Sequence, residues 1–418
     1  MRIGLVTATY SPSVVNGAVR MVGLYRRFLE ELGHEVTIFT LGHGDSGTDP
    51  GTFRSPGIPI GNHGYYLASG YVPAAQEAIT QMDIVHCHHL LMGLEFAHRY
   101  ANCPIAYTNH TRYDLYTSAY TPLPQAAADG LMRVLWPKLA SLADAVIAPS
   151  ESLRRVMLGF GVPEPIRVIE NGIDLEPFLR PRRAFTKANF GLKESAQLLV
   201  FVGRLSSEKR VDILLKQFAL ARRARHGLNL ALFGAGQQEL DLRSLVRAHD
   251  LESAVQFRGL VPYDDVGAWL SAADGFVTAS ISEVHPLAVI EAMATGLPVI
   301  ACHSPGIDDL VTDGINGLVT EPTGSELGQA MIKLTEDPRQ ARRMGEVSRA
   351  AARAYDIRRT VAATVGLYEE LLAARPDRTR RHRHGRTKDR GKRPGFSGTR
   401  LARAFRSPAT GRQMEVPD

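Results

Sequence analysis

A chain of 418 residues, 44% apolar and 22% charged, is long enough for two domains with separate cores and too apolar for wholesale disorder. Its three cysteines, Cys87, Cys103 and Cys302, lack CxxC spacing, which argues against a disulfide scaffold or structural zinc and suits a reducing compartment. The net charge of +6 is uneven: residues 375–418 hold 14 basic and 4 acidic side chains, against 35 and 39 in residues 1–374.

The opening RIGLVTATY reads as a first strand, its apolar run being too short for a signal peptide. No run of about 18 apolar residues appears, so nothing is expected to span a membrane and a cytoplasmic protein is predicted. MVGLYRRFLEELG follows with helical spacing and stops at Gly33, and HEVTIFTL is the next strand. DIVHCHH (83–89), CPIAYTNH (103–110) and ADAVIAPS (143–150) repeat the pattern of an apolar strand ending in polar residues. Strands alternating with helices predict a parallel, doubly wound α/β sheet whose ligand lies beyond the carboxyl ends of the strands. A second α/β series begins near residue 197, with strands LLVFVGRL, NLALFGAG, VQFRGL, DGFVTAS and LPVIACHS and a clear helix in KRVDILLKQFALARRA. The stretch 171–196, with Asn-Gly, Pro177 and Pro181, reads as the connection. Residues 325–374 are helical in pattern, and the like-charged segment after Ala374 is predicted to be disordered.

The residues that follow each strand are the candidates for chemistry. In GRLSSEKR (203–210), Gly203 allows a tight exit, and Arg204 and Lys209 beside a helix N-terminus suit a diphosphate or, alternatively, merely flank a solvated turn. In SEVHPLAVIEAMATGLPVI (282–300), a helix is expected from about Pro286 to Thr295, ended by Gly296. Glu283 then lies in the loop and Glu291 in the second turn; at ~100° per residue they do not share a helical face. They work together only around a ligand rich in hydroxyls, such as a sugar or ribose. The N–H groups of Leu287 and Ala288 are free for an anion at that helix start. The plainer alternative is a loop cap and an exposed helical glutamate. Gly17 in NGAVR opens the first helix without a full GxGxxG, which lowers a nicotinamide or flavin reading. GAG at 234–236 is a compatible but unspecific turn. His86, His88 and His89 cluster at a strand end with no matching acidic ligands, so metal binding is not expected. His110 follows a strand, and Arg112, Tyr113, Asp114 and Tyr116 after it suit a sugar or acceptor, or a structural role.

With these residues in view, the chain resembles the retaining glycosyltransferases of family 4, of GT-B fold, over about residues 1–374. The motifs that carry the resemblance are NGA after the first strand, VIENGID (168–174), GRLSSEKRVD, GAG, the E-x7-E segment with EAMATGLPVI, and DLVTDGINGLV (309–319). The resemblance implies two Rossmann-like domains across a cleft: an acceptor domain over 1–175 and a nucleotide-sugar donor domain over 176–374, whose final helix can pack back on the first. A basic tail, 375–418, would follow. Catalytic roles fall to His110, Glu283, Arg204 and Lys209. Donor binding falls to Gly17, Arg204, Lys209, Glu283, His285, Leu287, Ala288 and Glu291, with Glu291 on the ribose, and acceptor binding to His88, Arg112, Tyr113 and Asp114. The nucleotide-sugar is a substrate; no cofactor and no metal ion are implied. A UDP-sugar is favoured over GDP-mannose, with a glycolipid, cell-envelope or secondary-metabolite acceptor. Segments like NHTRYDLY resemble those of enzymes that glucosylate diacylglycerol, and the basic tail suits an anionic membrane surface. One departure stands out: Val284-His285-Pro286 replaces the family's common Gly-Phe-Gly, removing one N–H at Pro286, which His285 would have to make good. A nucleotide-sugar binder without transfer, or a GT-B epimerase, are the alternatives; no nucleic acid is expected.

Overall fold

The computed structural model describes residues 1–374 except 11–15, 43–48, 61–64, 116–123 and 184; the basic tail and Tyr116 lie outside the described residues. Seven parallel strands form the first sheet: Arg2–Val6 (β1), Glu35–Leu41 (β2), Thr52–Ser55 (β3), Ile84–Cys87 (β6), Ile105–Thr108 (β7), Ala145–Ala148 (β8) and Ile166–Val168 (β9). Ile58–Ile60 (β4) and Tyr65–Leu67 (β5) make a small antiparallel pair beside it. The spatial order β3-β2-β1-β6-β7-β8-β9 reverses between β1 and β6. The second sheet holds Gln197–Val202 (β10), Leu228–Phe233 (β11), Val255–Gly259 (β12), Gly275–Thr278 (β13), Val299–Cys302 (β14) and Gly317–Thr320 (β15), in the order β12-β11-β10-β13-β14-β15. Its reversal falls between β10 and β13. A crevice opens at each reversal, because neighbouring crossovers leave on opposite faces. This is the GT-B arrangement of two Rossmann-like halves.

Near-continuous apolar strands follow from burial on both faces. Ile3, Leu5, Val85, Leu199, Val200, Leu230 and Ile300 are all fully buried. Helix Gly17–Glu31 (α1) shows Met21, Val22, Tyr25, Phe28 and Leu29 to the core at helical spacing, and Asn16 caps it by accepting from the N–H of Val19 at 2.8 Å. The last helix, Ile357–Ala373, returns to the first domain and packs along α1. There Thr364 is hydrogen-bonded to the Tyr25 hydroxyl at 3.0 Å, Tyr368 to Nδ1 of His86 at 2.6 Å, and Glu370 pairs with Arg167 at 2.7 Å. The connection is held as well, since Ile173 exchanges backbone hydrogen bonds with Tyr355 and Ile357.

The GAG turn shows why glycine was needed, and the reason is packing. A Cβ on Gly234, whose φ is +137°, would lie 1.9 Å from the Gly203 carbonyl oxygen, and one on Gly236 2.2 Å from that of Leu205. The two strand-end loops therefore touch backbone to backbone, joined by the bond from Leu205 N–H to the Ala235 carbonyl at 3.1 Å. Gly236→Ala is expected to cost about 1–3 kcal/mol through this overpacking, read as a lower denaturant midpoint at unchanged slope.

Candidate active site

The loops after β10 and β13 meet at the second sheet's reversal. After β10, residues Ser207–Lys209 form one 3-10 turn, and Arg210, with φ of 51°, breaks it from the helix Val211–Ala224. Lys209 therefore sits on the turn rather than on the long helix, and its Nζ donates to Glu283 Oε1 at 2.7 Å. Glu208 lies beneath: its carbonyl accepts from the Ser282 hydroxyl at 3.2 Å, and its carboxylate accepts from Ser206 at 2.6 Å. Burial pushes the Glu208 carboxyl up, but Ser206, a backbone N–H, Arg204 and Lys209 together hold it below the usual range. Arg204 reaches the same carboxylate, its Nε at 3.8 Å from Oε1. The diphosphate candidates Arg204 and Lys209 thus stand beside one buried anion and one partly accessible one, Glu283.

The helix of the E-x7-E segment runs Leu287–Ala294, with Pro286 as its N-cap rather than its first residue, and Gly296 ends it at φ of 87°. No side chain caps it. The N–H groups of Leu287 and Ala288 precede its first recorded turn bond, from Val289 N–H to the Pro286 carbonyl. The loop 283–286 rests on the backbone of Ser304–Gly306: Gly306 N–H donates to the Glu283 carbonyl at 3.2 Å, and a Cβ on Gly306 would lie 2.4 Å from the Val284 carbonyl carbon. His285 is buried edge-on against Tyr355 with ring centroids 5.2 Å apart, and neither ring nitrogen has a hydrogen-bond partner among the described residues. Burial drops its pKa to about 4. Glu291 is fully buried, and its partner comes from the other domain: Nη2 of Arg20, on α1, forms an ion pair with Oε1. The Cζ of Arg20 lies over the Tyr263 ring, 3.6 Å from its centroid.

Facing this, α1 begins at Gly17, where an added Cβ would meet none of the described residues within 4 Å. The histidines line the first sheet's reversal. His88 Nδ1 and His110 Nε2 are 2.9 Å apart with rings nearly parallel, His86 bonds Thr108 at 2.7 Å, and His89 Nδ1 accepts from the Ala8 N–H at 3.2 Å. Burial holds His86 and His110 down to about 3 and His89 to about 4, and His88 lower than its ordinary value, so all four are neutral at pH 7. Among the described residues no group of three or more His, Cys, Asp or Glu could hold a metal ion. Arg112 and Asp114 are paired with each other through three bonds of 2.6 to 3.2 Å, and Tyr113 turns inward, its hydroxyl accepting from Leu90 N–H and its ring edge-on to Trp136. The structure thus brings Arg204, Lys209 and Glu283 together, and His88 with His110, while after β7 Arg112 and Asp114 pair with each other and Tyr113 is tied to Leu90 and Trp136.

Sequence reasoning missed Arg20 and Tyr263. A signal existed for the first: Arg20 lies three residues after Gly17, one helical turn along α1. Tyr263 carried none, being an aromatic residue at an ordinary helix start. Ser152 and Asp309 were also missed. The Asp309 carboxylate accepts from the Ser152 hydroxyl at 2.9 Å and N–H at 3.1 Å, a second tie between domains.

Two Rossmann-like halves closing on paired cations and carboxylates at a strand-order reversal define a GT-B glycosyltransferase. The model of glycosyltransferase family 4 matches residues 15–177 and that of the glycosyl transferases group 1 matches residues 182–351. A D-inositol 3-phosphate glycosyltransferase of Streptomyces bingchenggensis is 30% identical over 85% of this chain and 84% of its own length. The alpha-monoglucosyldiacylglycerol synthase of Streptococcus pneumoniae is 29% identical over 76% of this chain and 74% of its own. Among solved structures, Anabaena HepE in complex with UDP and glucose superposes with a TM-score of 0.72 at 20% identity, over 89% of this chain and all of that one. The chain belongs to glycosyltransferase family 4.

Proposed function

We propose that this glycosyltransferase moves a hexosyl group from a nucleoside-diphosphate sugar, a UDP-sugar by preference, to a lipid hydroxyl of the diacylglycerol class, with retention of the anomeric configuration. The observation that carries the donor reading is the Lys209–Glu283 pair at 2.7 Å beside Arg204, at the reversal of the second sheet and opposite the start of α1. Arg204 and Lys209 take the diphosphate, and Glu283, once released from Lys209, accepts from hydroxyls of the sugar. Glu291 takes the ribose. The N–H groups of Leu287 and Ala288 face the leaving phosphate, and Gly17 leaves room for it. Charge that develops on the departing diphosphate is thereby met by two fixed cations and a helix N-terminus. His110, neutral and held by His88, stands by the sugar. In the transfer the anomeric C–O bond to phosphate breaks, the acceptor oxygen forms a new bond on the same face, and the acceptor proton passes to the departing phosphate oxygen.

The acceptor reading rests on the NHTRYDLY segment and on similarity to the pneumococcal synthase; relatives that act on an inositol phosphate make that hydroxyl the second acceptor to test. Arg112, Tyr113 and Asp114 would shape the acceptor side as a rigid unit rather than as free hydrogen-bonding groups. A His285 ring bonded to the donor would first have to leave Tyr355. The basic tail is proposed to add affinity for anionic membranes; no helix among the described residues is long and apolar enough to cross one.

Thermal-shift titration with UDP-, GDP- and ADP-sugars tests the donor: a ligand at a hundred times its Kd adds about 2.7 kcal/mol of stability. UDP-sugars are expected to give the largest shift. Activity is expected to persist in excess EDTA, because the two cations do the work of a divalent metal. Loss of turnover in EDTA, restored by one divalent ion, would contradict that assignment.

A further inference from the structure

Glu291 is fully buried, yet its partner is Arg20 of the opposite domain, whose side chain is 26% exposed. A carboxylate buried without a partner is costly, so some group must occupy it in the empty enzyme. Arg20 does more than neutralise it. Its planar guanidinium lies 3.6 Å from the Tyr263 ring centroid, with its charge on the carboxylate beyond. Among the described residues Oε2 of Glu291 has no hydrogen-bond partner, nor has the buried Tyr263 hydroxyl, so polar capacity is left open at the same spot.

We propose that Arg20 is an internal ligand of the ribose subsite. Its guanidinium occupies the seat at Glu291 and Tyr263 that a nucleotide must take, and donor binding exchanges the Arg20–Glu291 ion pair for hydrogen bonds from the ribose diol. The inference rests on the nucleotide-sugar reading given above. Arg20 then sets donor affinity and selectivity. It scales the affinity for every nucleotide down to the fraction of molecules in which the seat is free. It also favours ligands that present two hydroxyl donors, because a deoxyribose expels the cation without satisfying the anion. Since α1 and Glu291 belong to different domains, the same contact is one tie across the empty cleft, and donor binding releases it.

Isothermal titration of UDP and of 2′,3′-dideoxy-UDP into the wild-type enzyme, Arg20→Met, Arg20→Lys and Tyr263→Leu tests this, with unfolding transitions confirming that each variant is folded. Arg20→Met is expected to bind UDP about tenfold more tightly than wild type and to discriminate less against the dideoxy nucleotide. Arg20→Lys keeps the charge but lacks the planar guanidinium, so it guards against a misfolded Met variant and is expected to fall between the two. Tyr263→Leu, which loosens Arg20 without touching Glu291, should also tighten UDP. Wild-type binding with equal or weaker binding by folded Arg20→Met and Arg20→Lys overturns the inference alone. Failure of wild type and variants alike to bind UDP overturns the nucleotide-sugar reading, and the inference falls with it.

Discussion

Lys209→Ala is expected to lower donor kcat/KM by about 10²–10³-fold, and Glu283→Gln by a smaller factor. The reasoning starts from their mutual contact at 2.7 Å, with side-chain exposures of 20% and 11%. Removing Lys209 does more than delete a cation from the proposed diphosphate subsite. It strips Glu283 of its counter-charge and leaves a carboxylate where the leaving group gains negative charge, so the variant suffers twice. Glu283→Gln loses an acceptor for the sugar but keeps Lys209 and frees it. The double variant should therefore be less impaired than the product of the two single effects, since the surplus carboxylate is gone. Initial-rate kinetics on the four proteins close the cycle. Strict multiplicativity would mean that the pair does not act together. Because the contact forms without donor, the pair also has to part on binding, and the loss should fall on kcat as well as on KM.

Acid is expected to unfold the protein well above the range in which carboxylates titrate. Burial depresses His86 and His110 to about 3, and His89 and His285 to about 4, against an ordinary value near 6.5; His88 is depressed as well. The unfolded chain therefore binds protons between about pH 6.5 and 4 that the folded chain refuses. Stability is fully present above pH 6.5 and falls as pH drops, by up to about 1.4 kcal/mol per pH unit for each histidine. Glu291 and Glu170 work the other way: burial raises both carboxyls, so they add stability on the acid side against the larger number of depressed histidines. Thermal unfolding between pH 7.5 and 4.5 should show a steep fall. His86→Gln, which removes one titrating ring, should flatten it, and a melting temperature unchanged from pH 7.5 to 5 would contradict the buried neutral histidines.

Much of this was legible because the chemistry follows strand ends. In a parallel sheet the polar residues after each apolar run face the crevice, so GRLSSEK and SEVHP could be placed before the contacts were known. Less legible were the short strands β9 and β15 and the β4–β5 pair, whose three- and four-residue runs give no period to read. The start of the E-x7-E helix was read one residue early, because Pro286 fits a first helical position and an N-cap alike. The spacing of Glu283 and Glu291 correctly excluded a shared helical face, but it could not show that each would already have a cation. Lys209 lies in a motif that already suited a diphosphate; Arg20 lies on the other domain, and its pairing with Glu291 across the cleft leaves no trace in the spacing of either segment. The GAG turn invited a nucleotide reading, whereas the Gly203 and Leu205 carbonyls alone account for Gly234 and Gly236.

The cleft is proposed to hold a nucleoside-diphosphate sugar and to transfer its sugar with retention. Proton NMR of a reaction of UDP-glucose with diacylglycerol in vesicles tests it most directly, following UDP release and the anomeric signal of the product together. UDP and an α-linked glucolipid are expected in equal amounts, with neither formed at a comparable rate by Lys209→Ala. A β-linked product would contradict retention. Equal turnover by wild type and Lys209→Ala would contradict the site.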